Sequence, residues 1–173
     1  MRRENKAMML GGAALWMAMI FLFTFEMETP MQANDQAKDA EAQNKEIIRA
    51  GFESWRKGTG SIFDLLTPDA KWTIVGNAPV SKTYNSRQEF MDVVIQPFNS
   101  RLSSRLVPTV RAIYADADMV ITLFDAEATA RDGKPYRNTY TWYTRMRDGR
   151  IVEVIAFFDT IEFTDFWTRI KPE

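Results

Sequence analysis

The chain holds neither histidine nor cysteine in its 173 residues. Any proton it moves must therefore travel through Asp, Glu, Tyr, Lys or a bound water. A thiolate nucleophile, a disulfide, a His general base and a His-ligated zinc are all excluded. Among the groups that remain, Asp159 draws attention first, because it closes the apolar run Ile151 to Phe158. Strand alternation would place it on the face of Ile151, Ile155 and Phe157. A carboxylate there either accepts hydrogen bonds and orders its surroundings, or works as a poorly solvated acid/base in a pocket. Asp125 and Glu127 lie two apart on one predicted strand and share a face. They are a solvent-facing pair, or one of them shares a proton with Asp159 as coupled carboxylates do.

Aromatic and amide groups supply the rest of a candidate site. Tyr136, Asn138, Tyr140 and Trp142 alternate with Arg137, Thr139, Thr141 and Tyr143. The first set is expected to face the core, with Asn138 and Tyr140 offering hydrogen bonds inside an apolar chamber. Trp55, Trp72, Tyr84, Phe98, Phe124 and Phe157 are expected to complete the walls. Such a stripe serves equally as plain core. No metal ion and no cofactor is expected. The net charge of −1, without a block of like charge, shows no nucleic-acid footprint.

The elements that must position these groups follow from periodicity. Ile47, Ile48, Phe52 and Trp55 recur at helical spacing after Asn44, and Gly58 and Gly60 end that helix. Ser61 to Leu66 predicts a short second helix closed by Thr67-Pro68. Residues 70–75 predict a strand, and 76–85 an irregular segment. Ser86-Arg-Gln-Glu89 is a capping box that opens a third helix, with Phe90, Val93, Val94 and Phe98 on one side and Pro97 kinking or ending it. From Ser104 the period becomes two. Strands are predicted over 104–115, 118–130, 135–147 and 150–162, joined by short turns that include Asp148-Gly149, so they form an antiparallel meander. Three helices followed by a meander is an α+β plan. The expected shape is a cone, a curved antiparallel sheet covered by about three helices, whose mouth is a natural ligand site.

Residues 1–30 read as a membrane or export segment. Arg2, Arg3 and Lys6 precede an uncharged apolar run from Ala7 to Phe25. Those 19 residues would span roughly 28 Å as a helix, close to the hydrocarbon core of a bilayer. The positive side stays cytoplasmic, which puts the domain on the periplasmic or extracytoplasmic side. An uncleaved anchor is preferred over a cleaved signal peptide, because no small-x-small site follows closely. The domain plan is thus an anchor or signal segment (1–30), a polar tether (31–43), an α+β domain (44–167) and a tail (168–173).

Several of these residues together resemble the SnoaL-like group of the nuclear-transport-factor-2-like superfamily, which also holds ketosteroid isomerases and limonene epoxide hydrolases. The likeness rests on Asn44 with Trp55, Trp72 to Gly76, and Tyr84 with Arg87-Gln88-Glu89-Phe90. It continues through Gly133 to Tyr136 with Asn138 and Tyr140, then Arg147 to Glu153 leading to Phe158-Asp159-Thr160. The resemblance implies the cone fold and a homodimer formed sheet to sheet. It also implies an acid/base role for Asp159, by analogy with the family's cyclases. Epoxide-hydrolase relatives pair an Arg and an Asp two apart on the strand of Asp125, but Leu123 stands at the Arg position. Fold alone does not decide function in this superfamily. Two readings follow. One is a non-catalytic domain that binds a small hydrophobic molecule. The other is an acid/base isomerase, cyclase or hydrolase of a cyclic or polyketide-like substrate, using Asp159 with Tyr140 at an enolate oxygen and Asp125 assisting.

Overall fold

A computed structural model describes residues 30–171. The apolar segment 7–25 and its anchor or signal role lie outside the described residues. Among those residues, no helix is long and apolar enough to cross a membrane.

The polar stretch expected as a tether is helical. Helix α1 (Pro30–Lys57) takes in all of it, and Glu41 Oε1 accepts from the backbone N–H of Ala117 at 2.9 Å. Ala- and Gln-rich sequence with Pro at its first position favours this extension. The helix ends in a Schellman closure, in which Gly58 N–H donates to Trp55 O and Thr59 N–H to Ser54 O, both at 3.0 Å. Gly58 takes φ +74, the left-handed conformation that closure requires.

The second predicted helix shrinks to one 3₁₀ turn over 62–65, capped by Ser61 and Asp64. The chain then enters β1 (Leu66–Ile74) and β2 (Thr83–Tyr84), the latter within the segment read as irregular. Helix α2 (Arg87–Phe90), a π turn (Met91–Ile95) and α3 (Gln96–Asn99) run on as one helix. Ser86 caps it by accepting from Glu89 N–H, while the Glu89 carboxylate turns to Asn85 N–H and Lys82. Pro97 neither ends nor breaks the helix. The π turn just before it lets Gln96 N–H reach Met91 O, relieving the ladder where proline supplies no donor.

The meander is β3 (Val107–Asp116), β4 (Met119–Thr129), β5 (Pro135–Arg147) and β6 (Arg150–Phe158). The six-stranded sheet has the order β2-β1-β6-β5-β4-β3, antiparallel except where β1 pairs parallel with β6. The last predicted strand stops short at Phe158, and residues 160–169 form helix α4 (Thr160–Arg169). Buried Ile170 makes the start of the expected tail part of the fold.

One irregularity decides which side chains face inward. Met146 pairs with Ile151 but Arg145 with Glu153, so Val152 is an extra residue in β6. A bulge of this kind reverses the alternation beyond it. Ile151 is buried, but Val154 and Ala156 then take the core face and Phe157 turns outward, 43% exposed. The expected grouping of Ile151, Ile155, Phe157 and Asp159 is therefore not formed. The core fills the concave side of the sheet, where Phe52, Phe124 and Trp142 meet at ring separations of 4.7–5.7 Å. The result is the α+β cone: a curved sheet with helices over its concave face.

Candidate functional site

Inside the cone lies a chamber of about 640 Å³. Its floor comes from inward positions of three adjacent strands: Trp72 and Ile74 on β1, Ala156 and Phe158 on β6, Tyr140 and Trp142 on β5. The wall opposite is the continuous helix. Its π turn brings Phe90, Met91, Val94, Ile95 and Phe98 to one side, while Val93 is 44% exposed. Trp55 of α1, Phe63 and Phe163 of α4 close the ends. Trp72 meets Trp142 edge-on at 4.8 Å and stacks on Phe90 at 4.1 Å, which gives rigid aromatic walls. The exposed lining residues Gly58, Gly60, Ser103, Ser104 and Arg105 mark the rim. Among the described residues no Asp or Glu lines the chamber, and Arg105 is the one charged residue that does. The size and mostly apolar lining suit a small organic ligand.

Two phenols meet at the chamber floor, Tyr140 in the lining and Tyr136 behind it. Tyr136 and Tyr140 share a hydroxyl–hydroxyl bond of 2.7 Å, and Asn138 Nδ2 donates to the Tyr136 hydroxyl at 3.2 Å. Burial is the main cause that pushes Tyr136 up to about 12 and Tyr140 well above the ordinary phenol range. At neutral pH both are neutral hydrogen-bond donors, not bases. The pair carries two hydroxyl protons and one bond between them. If Tyr136, which is fully buried and already accepts from Asn138, donates to Tyr140, its own requirements are met. The Tyr140 proton then remains for a guest.

Asp159 lies elsewhere. It is the N-cap of α4, and its carboxylate accepts from Ile161 N–H at 2.9 Å and Glu162 N–H at 3.2 Å. The sequence Asp159-Thr-Ile-Glu162 is a helix-start pattern, and it outweighs the strand reading. Asn138 holds this corner: its Nδ2 donates to Asp159 O and its Oδ1 accepts from Asp159 N–H, both at 3.0 Å. With Nδ2 also bonded to Tyr136, Asn138 has its amide engaged and does not line the chamber.

The other expected residues divide in the same way. Trp55, Trp72, Phe98, Tyr140 and Trp142 come together around the chamber. Phe124 stands one layer behind, stacked on Tyr140 at 4.9 Å. Tyr84 packs on Phe90 from outside the lining and donates to Val80 O at 2.8 Å. Burial pushes its phenol up to about 12. Phe157 is on the opposite face of the sheet, beside Tyr143 at 5.8 Å. Asp125, Asn138 and Asp159 do meet, but in a separate surface depression with Arg137 and Glu162. There Asp125 accepts from Thr139 at 2.7 Å and faces Arg111 at 3.6 Å, and Glu127 faces Arg137 at 3.5 Å. Among the described residues no hydrogen bond joins Asp125 or Glu127 to Asp159.

Sequence reasoning missed Phe158 and Phe163, which line the chamber because of the β6 bulge and the α4 start. Arg105 is not legible either, because the two-residue period predicts a strand from residue 104 whereas β3 begins at Val107. The Ser103-Ser104 pair was the available turn signal.

A model of the SnoaL-like domain matches residues 48–154. The chain belongs to the SnoaL-like domain family. Among curated proteins none matches it. Solved structures show the same fold. Bal32a, from a soil-derived mobile gene cassette, is 18% identical with a TM-score of 0.62, over 74% of this chain and 98% of its own. A protein of Jannaschia sp. CCS1, assigned as a SnoaL-like polyketide cyclase, is 14% identical with a TM-score of 0.59, over 83% and 97%. IdmH of Streptomyces antibioticus, assigned as a polyketide cyclase, is 24% identical with a TM-score of 0.57, over 73% and 99%.

Proposed function

We propose that this SnoaL-like domain binds a small, largely apolar molecule in the aromatic chamber, and that Tyr140 donates a hydrogen bond to an oxygen of that molecule. The observation that carries the reading is the chemistry of the lining: aromatic walls, a buried phenol, and no carboxylate among the described residues. Acid/base turnover through Asp159 finds less support, because that carboxylate is engaged at the α4 N-terminus outside the chamber. The relatives assigned as polyketide cyclases favour a cyclic, oxygenated guest.

Two further parts of the proposal concern where the domain works. The apolar segment 7–25 anchors it, or directs its export, so that it acts on the periplasmic or extracytoplasmic side. The outer face of the sheet meets a second copy. Tyr114, Tyr143 and Phe157 are 62%, 37% and 43% exposed there, and the ion pairs Arg111–Asp125 and Arg145–Glu153 flank them. An apolar centre with charge pairs of both signs around it suits a self-complementary contact.

Native mass spectrometry of the full-length protein, released from detergent without denaturant, tests the binding reading. A co-purified small molecule that disappears in Ala156→Leu, which fills the floor, is the expected result. An empty wild-type protein that also fails to take up an added neutral naphthyl ketone would overturn it.

A further inference from the structure

The rim of the chamber carries a cation whose surroundings are asymmetric. The Arg105 Nη1 donates to Trp55 O at 3.2 Å, the same carbonyl that closes α1. This holds the guanidinium against the helix end, where it complements the negative pole of the helix dipole. An arginine presents five N–H donors. Among the described residues no carboxylate lies within ion-pairing distance of Arg105, in contrast to Arg87, Arg145 and Arg169. Gly58 makes room for it. A β-carbon at that position would stand 2.5 Å from Arg105 Nη1, and φ +74 would strain any L side chain there.

The chamber below this cation contains no acid to oppose it, and its near neighbours at the rim are Ser103 and Ser104. A neutral guest would leave those guanidinium donors to water. A guest with one anionic oxygen group would meet them as its apolar body entered the aromatic walls. Charge-assisted bonds to arginine are about twice as strong as neutral ones, and a planar carboxylate fits the guanidinium fork. We infer that the ligand is an amphipathic organic anion, an apolar ring system bearing a single carboxylate, with Arg105 as the residue that selects the charge. This rests on the chamber being the ligand site and deepens that reading by naming the class.

The alternative role for Arg105 is to cap α1 alone. That role predicts lower stability on substitution but no change in preference between a charged and an uncharged guest, so a charge-matched pair of probes separates the two.

The test uses the full-length protein in amphipol, with empty amphipol as the partition blank. The probes are 2-naphthylacetic acid and its methyl ester, read by quenching of tryptophan emission. Trp55, Trp72 and Trp142 all line the chamber. The acid is expected to bind about tenfold more tightly than the ester at neutral pH and low salt. Arg105→Gln should bring the ratio of acid to ester affinity near one. Gly58→Ala should move the ratio in the same direction with Arg105 still present. A near-ultraviolet circular dichroism spectrum matching wild type shows that the chamber is folded in each variant. Equal binding of acid and ester by wild type would overturn the inference and leave the chamber reading standing. A preference that survives Arg105→Gln would also overturn it. Failure of both probes to bind wild type would remove the chamber reading itself, and this inference with it.

Discussion

Strand β5 presents two chemistries on its two faces, and the contrast explains most of this molecule. Inward lie Tyr136, Asn138, Tyr140 and Trp142, all buried. Outward lie Arg137, Thr139 and Tyr143, all exposed, with Asp125 and Glu127 of β4 beside them. Carboxylates cluster on the outer side, where water and arginines solvate them. The inner side keeps phenols and an amide, whose hydrogen bonds can be completed within a dry core. A carboxylate placed on the chamber floor would lie among aromatic side chains, because the lining's cation, Arg105, stands at the rim. The division of polar groups between the faces is the basis of the proposal that the chamber recognises its guest by shape and hydrogen bonding.

The sharpest way to break this comparison is to truncate neighbouring residues that face opposite ways. Trp142→Ala should cost about 3–5 kcal/mol in denaturant unfolding, because its ring touches Phe52, Trp72 and Phe124. Tyr143→Ala, one residue later and on the outer face, should cost less than about 1 kcal/mol of chain stability. Equal losses would mean that the two faces are not distinct.

A smaller effect is expected at Arg101, two residues before the rim. Arg101 is 5% exposed, and its guanidinium donates to Pro97 O at 2.7 Å and Ile170 O at 2.9 Å while lying 3.9 Å from the Trp167 ring. Burial lowers its pKa by taking the guanidinium out of water, and the carbonyls and the aromatic face hold the charge against that cost. Arg101→Met should lose about 2–3 kcal/mol by leaving those carbonyls without donors. A fall in ligand affinity should accompany it, since the residue ties the rim to α4. An unchanged melting temperature would contradict this.

Much of the fold was legible because its signals are local. The turn Asp148-Gly149, the β5 alternation and the Ser86 cap each depend on a few neighbouring residues. The inner face of β5 shows in the sequence for that reason. The end of β6 was not, since an extra residue opposite Arg145 and Met146 depends on pairing between strands and leaves no mark in hydrophobic alternation. That one residue moved Phe157 out and Phe158 in, and it detached Asp159 from the apolar wall. The cap signal at Asp159 to Glu162 was present, but an apolar run extending into Ile161 masked it. Arg105 is a different case. Its position depends on a backbone path from Leu102 to Leu106 and on the space left by Gly58, and neither shows in composition.

The phenol pair gives a pH prediction with a definite sign. Tyr136 is raised to about 12 in the folded state, against about 10 when unfolded. Between those values the folded state holds a proton that the unfolded state has released. The stabilisation is fully present below about pH 10 and is lost as pH rises toward 12, by roughly 1.4 kcal/mol per pH unit for this tyrosine. Ultraviolet titration of tyrosinate should show the event coinciding with alkaline unfolding. Titration of all five tyrosines near pH 10 in a folded protein would contradict the buried pair.

The smallest expected effect is at the acid that looked most chemical in the sequence. Asp159→Ala should remove the α4 cap at about 1 kcal/mol, and Asp159→Asn should cost a few tenths, because asparagine caps nearly as well. Thermal unfolding of the two variants checks the order.

The central claim is that the guest sits in the chamber against Tyr140 and not at Asp159. Titration of the fluorescent ketone Prodan into wild type, Tyr140→Phe and Asp159→Asn tests it most directly, since the probe is neutral and its carbonyl accepts hydrogen bonds. Loss of the phenol should weaken binding about five- to tenfold with a blue-shifted emission, and Asp159→Asn should bind as wild type does. Weakened binding in Asp159→Asn with unaltered binding in Tyr140→Phe would contradict the account.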